Sequence, residues 1–225
     1  MGGIDMRRIG FRFILVLLIS VLFGGTAQAQ ERLAVYSDFD NPDNHFFYKA
    51  AFFSKDGLAY LPAMNEEWED KVHDGRTAIQ CQFEVRDNNW GGWYFQYGTL
   101  PEDAEDLAEN WGTIPKAGLN LTGYTRLTFW ARGEKGGEKV EFFCLGIGRD
   151  TKTGKATEDY PDSSKKRTTD EKTIVLRTEW KQYTIDLKGC DLSYVLGGFG
   201  WATNASKNKG ESSVIFYLDD IYYEK

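Results

Sequence analysis

The sequence predicts an all-β protein, built as a two-sheet antiparallel sandwich of jelly-roll type. About nine short segments with strand-like apolar patterns are separated by turn residues, and the chain contains 24 glycines. No long amphipathic helical pattern and no internal repeat interrupts this series. Many short strands joined by glycine-rich turns are typical of sandwiches and barrels.

The last predicted strand, residues 214–224, is a run of β-branched and aromatic residues. This composition is typical of a strand that is buried on both faces and needs neighbours on both sides. We therefore expect the first and last strands to lie together and close the sandwich. Asp219 and Asp220 interrupt the run, and carboxylates there are costly unless a cation or hydrogen-bond donors meet them. The alternative is a strand that ends at Asp219 with both carboxylates in solvent.

The remaining elements follow from alternation and turn residues. Residues 77–85 alternate most clearly, with Ile79, Cys81 and Phe83 on one face and polar residues on the other. A helical turn is expected near residues 66–70, a short helix near 101–109, and a long polar loop at 149–172. Strands are expected at residues 33–39, 77–85, 93–97, 125–131, 139–148, 173–176, 181–187, 195–203 and 214–224, and the aromatic-rich segment 45–54 is a further candidate.

The first 29 residues have the pattern of a cleaved signal peptide. Three arginines precede an apolar run at residues 13–23, and residues 27–29 form an A-x-A cleavage site. The apolar run is shorter than the roughly 20 residues that span a membrane, although an uncleaved anchor is the alternative. Residues 30–225 would then form a single secreted or periplasmic domain, with no membrane span after cleavage.

Charge narrows the choice of partners. The net charge of −7 becomes −9 when Arg7, Arg8, Arg12 and Asp5 are removed with the signal peptide. An acidic chain argues against binding to nucleic acid or to an anionic membrane surface.

The three cysteines are Cys81, Cys144 and Cys190. An odd number leaves at least one thiol free, and the sequence cannot say whether the other two pair. Cys81 and Cys144 lie in apolar strand patterns, where we expect them to act as small buried apolar side chains.

Four motifs in the second half of the chain resemble a known family. They are Y-T-R-L-T-F-W-A-R-G at residues 124–133, K-V-E-F-F at 139–143, W-K-Q-Y-T-I-D-L at 180–187 and F-Y-L-D-D-I at 216–221. In this order they are similar to the galactose-binding-like jelly-roll carbohydrate-binding modules that are attached to polysaccharide-degrading enzymes. The resemblance covers the second half of the chain well and the first half weakly.

The resemblance implies a structural calcium ion where the first and last strands meet. It assigns the metal ligands to Asp38, Asp40 and Asp219. Calcium takes about 6–8 oxygen ligands from carboxylates and carbonyls, and it would neutralise charge in the last strand. Asp38 and Asp40 also belong to an Asx-rich turn, which is acidic without any metal. His45 and His73 lack the spacing of a zinc site.

Aromatic and amide side chains indicate where a saccharide binds, because Trp and Tyr combine an apolar body with a polar tip. We expect Tyr94 and Gln96 to share a polar sheet face with the outward residues of strand 77–85, and Trp130 to continue that face. Trp90 is placed in a turn. The candidate ligand-binding residues are Trp90, Trp93, Tyr94, Gln96, Trp130, Arg149 and Trp201. For each of these tryptophans the alternative is core packing, which is also the role assigned to Trp180.

These observations predict an exported, noncatalytic glycan-binding protein whose partner is an oligosaccharide or polysaccharide. A sandwich that binds another envelope or matrix protein is an alternative, because a fold does not fix a function. A jelly-roll glycosidase or lyase is a third hypothesis. Glycosidases need paired carboxylates, and the cluster at residues 66–70 is more typical of solvated surface.

Overall fold

A computed structural model describes residues 31–54, 61–97 and 109–225. The predicted signal peptide at residues 1–29 lies outside these ranges, as does nearly all of the helix predicted near 101–109. Within them the chain forms strands and no α-helix. The strands are β1 (Arg32–Tyr36), β2 (Tyr48–Phe53), β3 (Ala63–Trp68), β4 (Ala78–Glu84), β5 (Trp90–Gln96), β6 (Arg126–Gly133), β7 (Lys139–Cys144), β8 (Arg167–Thr168), β9 (Ile174–Val175), β10 (Lys181–Asp186), β11 (Gly197–Asn204) and β12 (Ser213–Glu224).

The strands form two antiparallel sheets. Sheet I has the order β10-β6-β12-β4-β3, with β1 also paired to β12. Sheet II has the order β2-β5-β11-β7-β8, with β9 also paired to β7. The two sheets pack face to face, since Phe129 of β6 contacts Phe142 of β7 and Phe199 of β11, and the chain crosses repeatedly between the two sheets. This is the strand order of a jelly roll, so the predicted fold class is confirmed.

The core lies between the sheets and is rich in aromatic side chains. Phe129 and Phe216 of sheet I and Phe142, Phe199 and Trp201 of sheet II have no exposed surface. The rings of Trp201 and Phe216 meet edge to face, with centroids 5.0 Å apart. The predicted alternation of β4 is also found, since Ile79, Cys81 and Phe83 are buried while Gln82 is exposed.

Strand β12 is the interior strand that its composition predicts. It pairs with β6 on one side, and with β4 and then β1 on the other. The predicted pairing of the first and last strands is therefore confirmed. The ladder with β6 shifts register between Asp219 and Tyr222, and Asp220 has a left-handed φ of 47°. This bulge lets β12 continue past the two carboxylates instead of ending there.

Two sequence predictions about local structure are wrong. Residues 63–68 form strand β3 at the edge of sheet I, where a loop with a helical turn was expected, because pairing to β4 overrides the local preference. Strands β4 and β5 belong to different sheets, so they do not share a polar face. Asn89 stabilises the crossing between them, because its amide bonds Glu84 O and Arg86 N at 2.9 and 3.0 Å.

All three cysteines are free. Cys81 and Cys144 are fully buried and Cys190 is partly exposed, which confirms the packing role expected for the first two. In the described part of the chain, no helix is long and apolar enough to cross a lipid bilayer.

Candidate functional site

The outer face of sheet II carries a cross-strand row that joins four strands. Phe52 of β2 pairs with Gly92 of β5, Gly92 with Ala202 of β11, and Ala202 with Glu141 of β7. A large aromatic residue therefore stands at one end of the row and a carboxylate at the other, with nothing larger than a methyl group between them. We call the surface formed by this row, with Trp90, Lys166 and Lys207 beside it, the trough.

One side of the trough is aromatic. Trp90 is 48% exposed, and its ring centroid lies 6.3 Å from that of Phe52. Phe52 also contacts Tyr94 and Phe143, with centroids 5.7 and 6.2 Å away. These rings support one another, so the exposed surface of Trp90 is held on a packed base.

The floor of the trough is flat because its residues are small. A Cβ added at Gly92 would lie 1.8 Å from the carbonyl oxygen of Trp201 in the neighbouring strand. A Cβ at Gly200 would lie 2.4 Å from the ring of Phe143, which therefore lies over that glycine. Gly92 and Gly200 are both buried, and the close approach of neighbouring groups requires glycine at each position.

The other side of the trough is charged. Glu141 is buried with 8% of its surface exposed, and its Oε1 lies 2.8 Å from Lys166 Nζ. Its Oε2 lies 3.7 Å from Lys207 Nζ. Lys166 also lies over the ring of Phe143, 4.6 Å from its centroid. A partly buried carboxylate of this kind is stable because cations meet it.

The far end of this sheet face is covered by loops. Ala117, Ile147 and Leu196 form a small apolar cluster against Tyr94 there. Asp162 fixes the covering loop, since its carboxylate accepts from Ile147 N at 2.6 Å and Leu196 N at 2.5 Å. Burial raises the pKa of Asp162 to about 7, although these N–H donors favour the ionised form.

Two predicted ligand residues lie under this cover. Arg149 donates to the carbonyl oxygens of Asp162 and Gly154, at 2.5 and 2.8 Å, so its guanidinium orders the loop. Gln96 has no exposed surface, and its Oε1 accepts from Asn110 N at 2.7 Å. Gln96 is thus removed from the surface that a ligand can reach, whereas Arg149 is partly exposed but engaged by the loop.

Trp93 and Trp201 point into the sandwich, because they alternate with the outward residues of β5 and β11. Trp201 is fully buried, and core packing, the alternative considered for it, is what the structure shows. Trp93 is partly buried against the core and donates its Nε1 hydrogen to Pro62 O at 2.8 Å. Tyr94 faces outward as expected, but its hydroxyl donates to Leu145 O at 3.0 Å. Of the predicted residues in sheet II, Trp90 is the one that presents a free ring face.

Trp130 lies on the outer face of sheet I, on the opposite side of the sandwich from Trp90. The ring of His73 stacks on it with centroids 3.8 Å apart, and His73 also meets Trp180 edge to face at 5.7 Å. Trp130 therefore does not continue the face of Tyr94, and one side of its ring is covered by the protein's own chain.

The predicted calcium ligands each have partners within the protein. Asp38 Oδ1 accepts from the backbone N–H groups of Arg76 and Thr77, both at 2.8 Å, and Asp40 forms an ion pair with Arg76. Asp219 is fully buried, and its carboxylate accepts from the N–H groups of His73 and Asp220, at 2.9 and 2.8 Å. Burial raises the pKa of Asp219 to about 7.

The carboxylates of the last strand therefore meet hydrogen-bond donors, as the cost of burying them requires. In the described ranges no group of three or more His, Cys, Asp or Glu side chains is arranged to hold a metal ion. Asp38, Asp40 and Asp219 thus each bind a donor or cation of the protein itself. Calcium at these residues stays a prediction.

Six residues of the trough were not selected from the sequence: Phe52, Gly92, Ala202, Glu141, Lys166 and Lys207. Glu141 carried a usable signal, because it stands between the apolar residues Val140 and Phe142 of a strand and must face outward. Lys166 and Lys207 come from loops distant in sequence, and only the fold brings them to Glu141.

Comparisons with known proteins give structural likenesses alone. No family model and no curated protein sequence matches the chain. Among solved structures, the chain is similar to the family 11 carbohydrate-binding module of cellulosomal cellulase Lic26A-Cel5E of Clostridium thermocellum. The two share 10% identity with a TM-score of 0.49, and the match covers 86% of this chain and 93% of that one. A family 29 carbohydrate-binding module has 10% identity and a TM-score of 0.43, covering 87% of this chain and 88% of its own. Likenesses this weak do not by themselves establish a function.

Proposed function

We propose that this chain is an exported glycan-binding protein with no catalytic role, and that the trough on sheet II is its binding site. The observation that carries the proposal is the row Phe52–Gly92–Ala202–Glu141. It places the rings of Trp90 and Phe52 on one side and the charged group of Glu141, Lys166 and Lys207 on the other, with the rings of Phe52 and Phe143 6.2 Å apart between them. Carbohydrate recognition needs both kinds of contact at once, an apolar surface for the ring face and polar groups for the hydroxyls.

The dimensions of the trough suit a sugar chain. Neighbouring strands are about 4.8 Å apart, so three strand spacings from β2 to β7 span roughly 14 Å. A pyranose ring that rests on Trp90 and Phe52 can therefore extend its hydroxyls toward Glu141, Lys166 and Lys207. Charged groups form stronger hydrogen bonds with hydroxyls than neutral groups do.

The trough favours binding over hydrolysis. Among its described residues Glu141 is the one carboxylate, and its two oxygens are paired with Lys166 and Lys207. A glycosidase commonly uses two carboxyl groups on either side of the bond that is cleaved. The cluster at residues 66–70 does not supply the second, because β3 lies at the edge of sheet I.

Export is proposed from the signal-peptide pattern of the first 29 residues. A structural calcium ion is proposed from the family resemblance alone, at Asp38, Asp40 and Asp219. Neither is needed for the trough to bind a sugar.

The test is calorimetric titration of the purified protein with a panel of soluble polysaccharides, including mixed-linkage glucan, glucomannan, xylan and pectins. We expect at least one to bind, and Trp90→Ala to weaken that binding by tenfold or more, since exposed tryptophans often dominate recognition. Phe39→Ala is the matched control, because Phe39 is 49% exposed and lies in the turn after β1, outside the trough. Binding that both variants retain equally would place the site elsewhere, and no binding across the panel would refute the proposal.

A further inference from the structure

The charges of the trough are unequal. Two lysines, Lys166 and Lys207, meet the single carboxylate of Glu141, which leaves one positive charge in excess. The chain as a whole has the opposite balance, with 34 acidic and 27 basic residues. A local excess of positive charge on an acidic protein is not explained by overall composition.

The two lysines are bound differently to Glu141. Lys166 Nζ is within hydrogen-bond distance of the carboxylate at 2.8 Å, whereas Lys207 Nζ is 3.7 Å away. An ammonium group carries three N–H donors, and at 3.7 Å none of those of Lys207 makes a normal hydrogen bond to Glu141. The side chain of Lys207 is still 28% exposed. It is therefore placed to bond a second acceptor from solvent while Glu141 holds it in position.

We propose that the trough selects glycans with an anionic substituent, a uronate carboxylate or a sulfate ester, which binds Lys207 while the sugar ring rests on Trp90 and Phe52. This inference rests on the proposed glycan-binding function and narrows its substrate class. The partly buried setting strengthens the contact, because an ion pair is less screened beside the sheet than in open water. Glu141 offsets one of the two lysine charges, so the net charge of this group is one.

The test compares two polymers that share one backbone and differ in whether its carboxyl groups are ionised or methyl-esterified. Polygalacturonate carries a carboxylate on each residue, and its fully methyl-esterified form carries none. We expect the wild-type protein to bind polygalacturonate at least tenfold more tightly at low salt, with the difference shrinking as salt is raised. Dextran sulfate beside neutral dextran provides the sulfate arm and shows which anion is preferred.

Variants assign the effect to Lys207. Lys207→Gln should reduce the preference for polygalacturonate over its methyl ester to threefold or less, and Lys207→Arg should restore most of the preference. Lys209→Gln is the matched control, since Lys209 is exposed on the same loop outside the trough. Circular dichroism and Tm of each variant verify that the sandwich is intact.

The outcomes separate the two proposals. Equal or tighter binding of the methyl ester overturns the anionic preference, while glycan binding through Trp90 still stands. A preference that Lys207→Gln and Lys209→Gln reduce equally is general charge attraction, and it also overturns the assignment. Failure of every polymer to bind refutes both the substrate class and the glycan-binding function.

Discussion

Replacing Asp162 with asparagine tests how the loop over sheet II is held. Asp162 has no exposed surface, and its carboxylate accepts three backbone N–H groups, from Ile147 at 2.6 Å, Leu196 at 2.5 Å and Gly197 at 3.3 Å. Asparagine keeps one oxygen, which can serve Leu196 and Gly197. Its amide nitrogen then faces the N–H of Ile147, so one hydrogen bond is lost and a donor is left buried without an acceptor.

A buried group left without its partner costs about 1–3 kcal/mol. In a domain of this size each kcal/mol lowers Tm by about 2–4 °C, so Asp162→Asn should lower Tm by about 2–12 °C. Differential scanning calorimetry measures the change. Asp159→Asn is the control, because Asp159 is exposed in the same loop and its change should leave Tm unaltered.

The contribution of Asp162 to stability should fall as the pH rises from about 4 to 7. Burial raises the pKa of Asp162 from its ordinary 3.8 to about 7 in the folded protein. The folded state therefore binds one more proton than the unfolded state between about pH 4 and 7, and this contribution to stability is lost as the pH rises through that window. The slope is at most about 1.4 kcal/mol per pH unit for one proton.

The comparison with the variant isolates this group. Asp162→Asn has no such proton, so the stability advantage of the wild-type protein over the variant should shrink from pH 4 to pH 7. Burial also raises the pKa of Asp219 to about 7, but Asp219 is present in both proteins, so its contribution cancels in the difference between them. Urea unfolding at a series of pH values gives the two curves. An advantage that grows with pH would show that the three N–H donors outweigh burial, and would refute the reasoning.

Three further predictions concern other parts of the sandwich. Gly92→Ala should lower Tm by several degrees and weaken any glycan binding. The added Cβ would lie 1.8 Å from the carbonyl oxygen of Trp201, and overpacking commonly costs about 1–3 kcal/mol. An unchanged Tm would contradict the close approach of β5 and β11. A thiol reagent should modify only Cys190 in the native protein and all three cysteines in urea. Cys81 and Cys144 are buried, and burial raises the pKa of both thiols. Rapid labelling of a second thiol in the native protein would contradict the core packing. If calcium binds at Asp38, Asp40 and Asp219, adding it after chelation should raise Tm, because a calcium concentration about one hundred times Kd stabilises the folded state by about 2.7 kcal/mol. Asp40→Asn should reduce this rise, and the change should not disturb the core because Asp40 is exposed. A Tm that does not respond to millimolar calcium would remove the ion from the proposal.

Strand periodicity in the sequence predicted the fold class and several strands. The alternation of β4 and the apolar run of β12 were sufficient, because burial imposes a period of two on a half-buried strand and removes it from an interior one. The same information could not assign β4 and β5 to different sheets. Two consecutive strands joined by a short turn look alike in sequence whether they form a hairpin or cross the sandwich, because the choice depends on which distant strands each one pairs with.

The site was predicted only where a single strand determines it. Trp90 was found because an aromatic residue next to a turn is a visible signal. The direction of Trp93, Trp201 and Trp130 depends on which sheet each strand joins, and the pairing of Glu141 with Lys166 and Lys207 depends on loops that fold back from 25 and 66 residues away. Such contacts are determined by the tertiary structure and cannot be predicted from local sequence patterns or composition.

The position of the trough follows from how the two outer faces are covered. On sheet I, buried Asp219 accepts the N–H of His73 and holds residues 71–76 across the strands, so that His73 stacks on Trp130. On sheet II, buried Asp162 holds its loop only over the end near Tyr94. Each face thus has one loop fixed by one buried carboxylate, but on sheet II the loop leaves the ring of Trp90 exposed. The binding face is therefore determined by where the anchored loops end, since both faces carry tryptophan and only one leaves its indole uncovered.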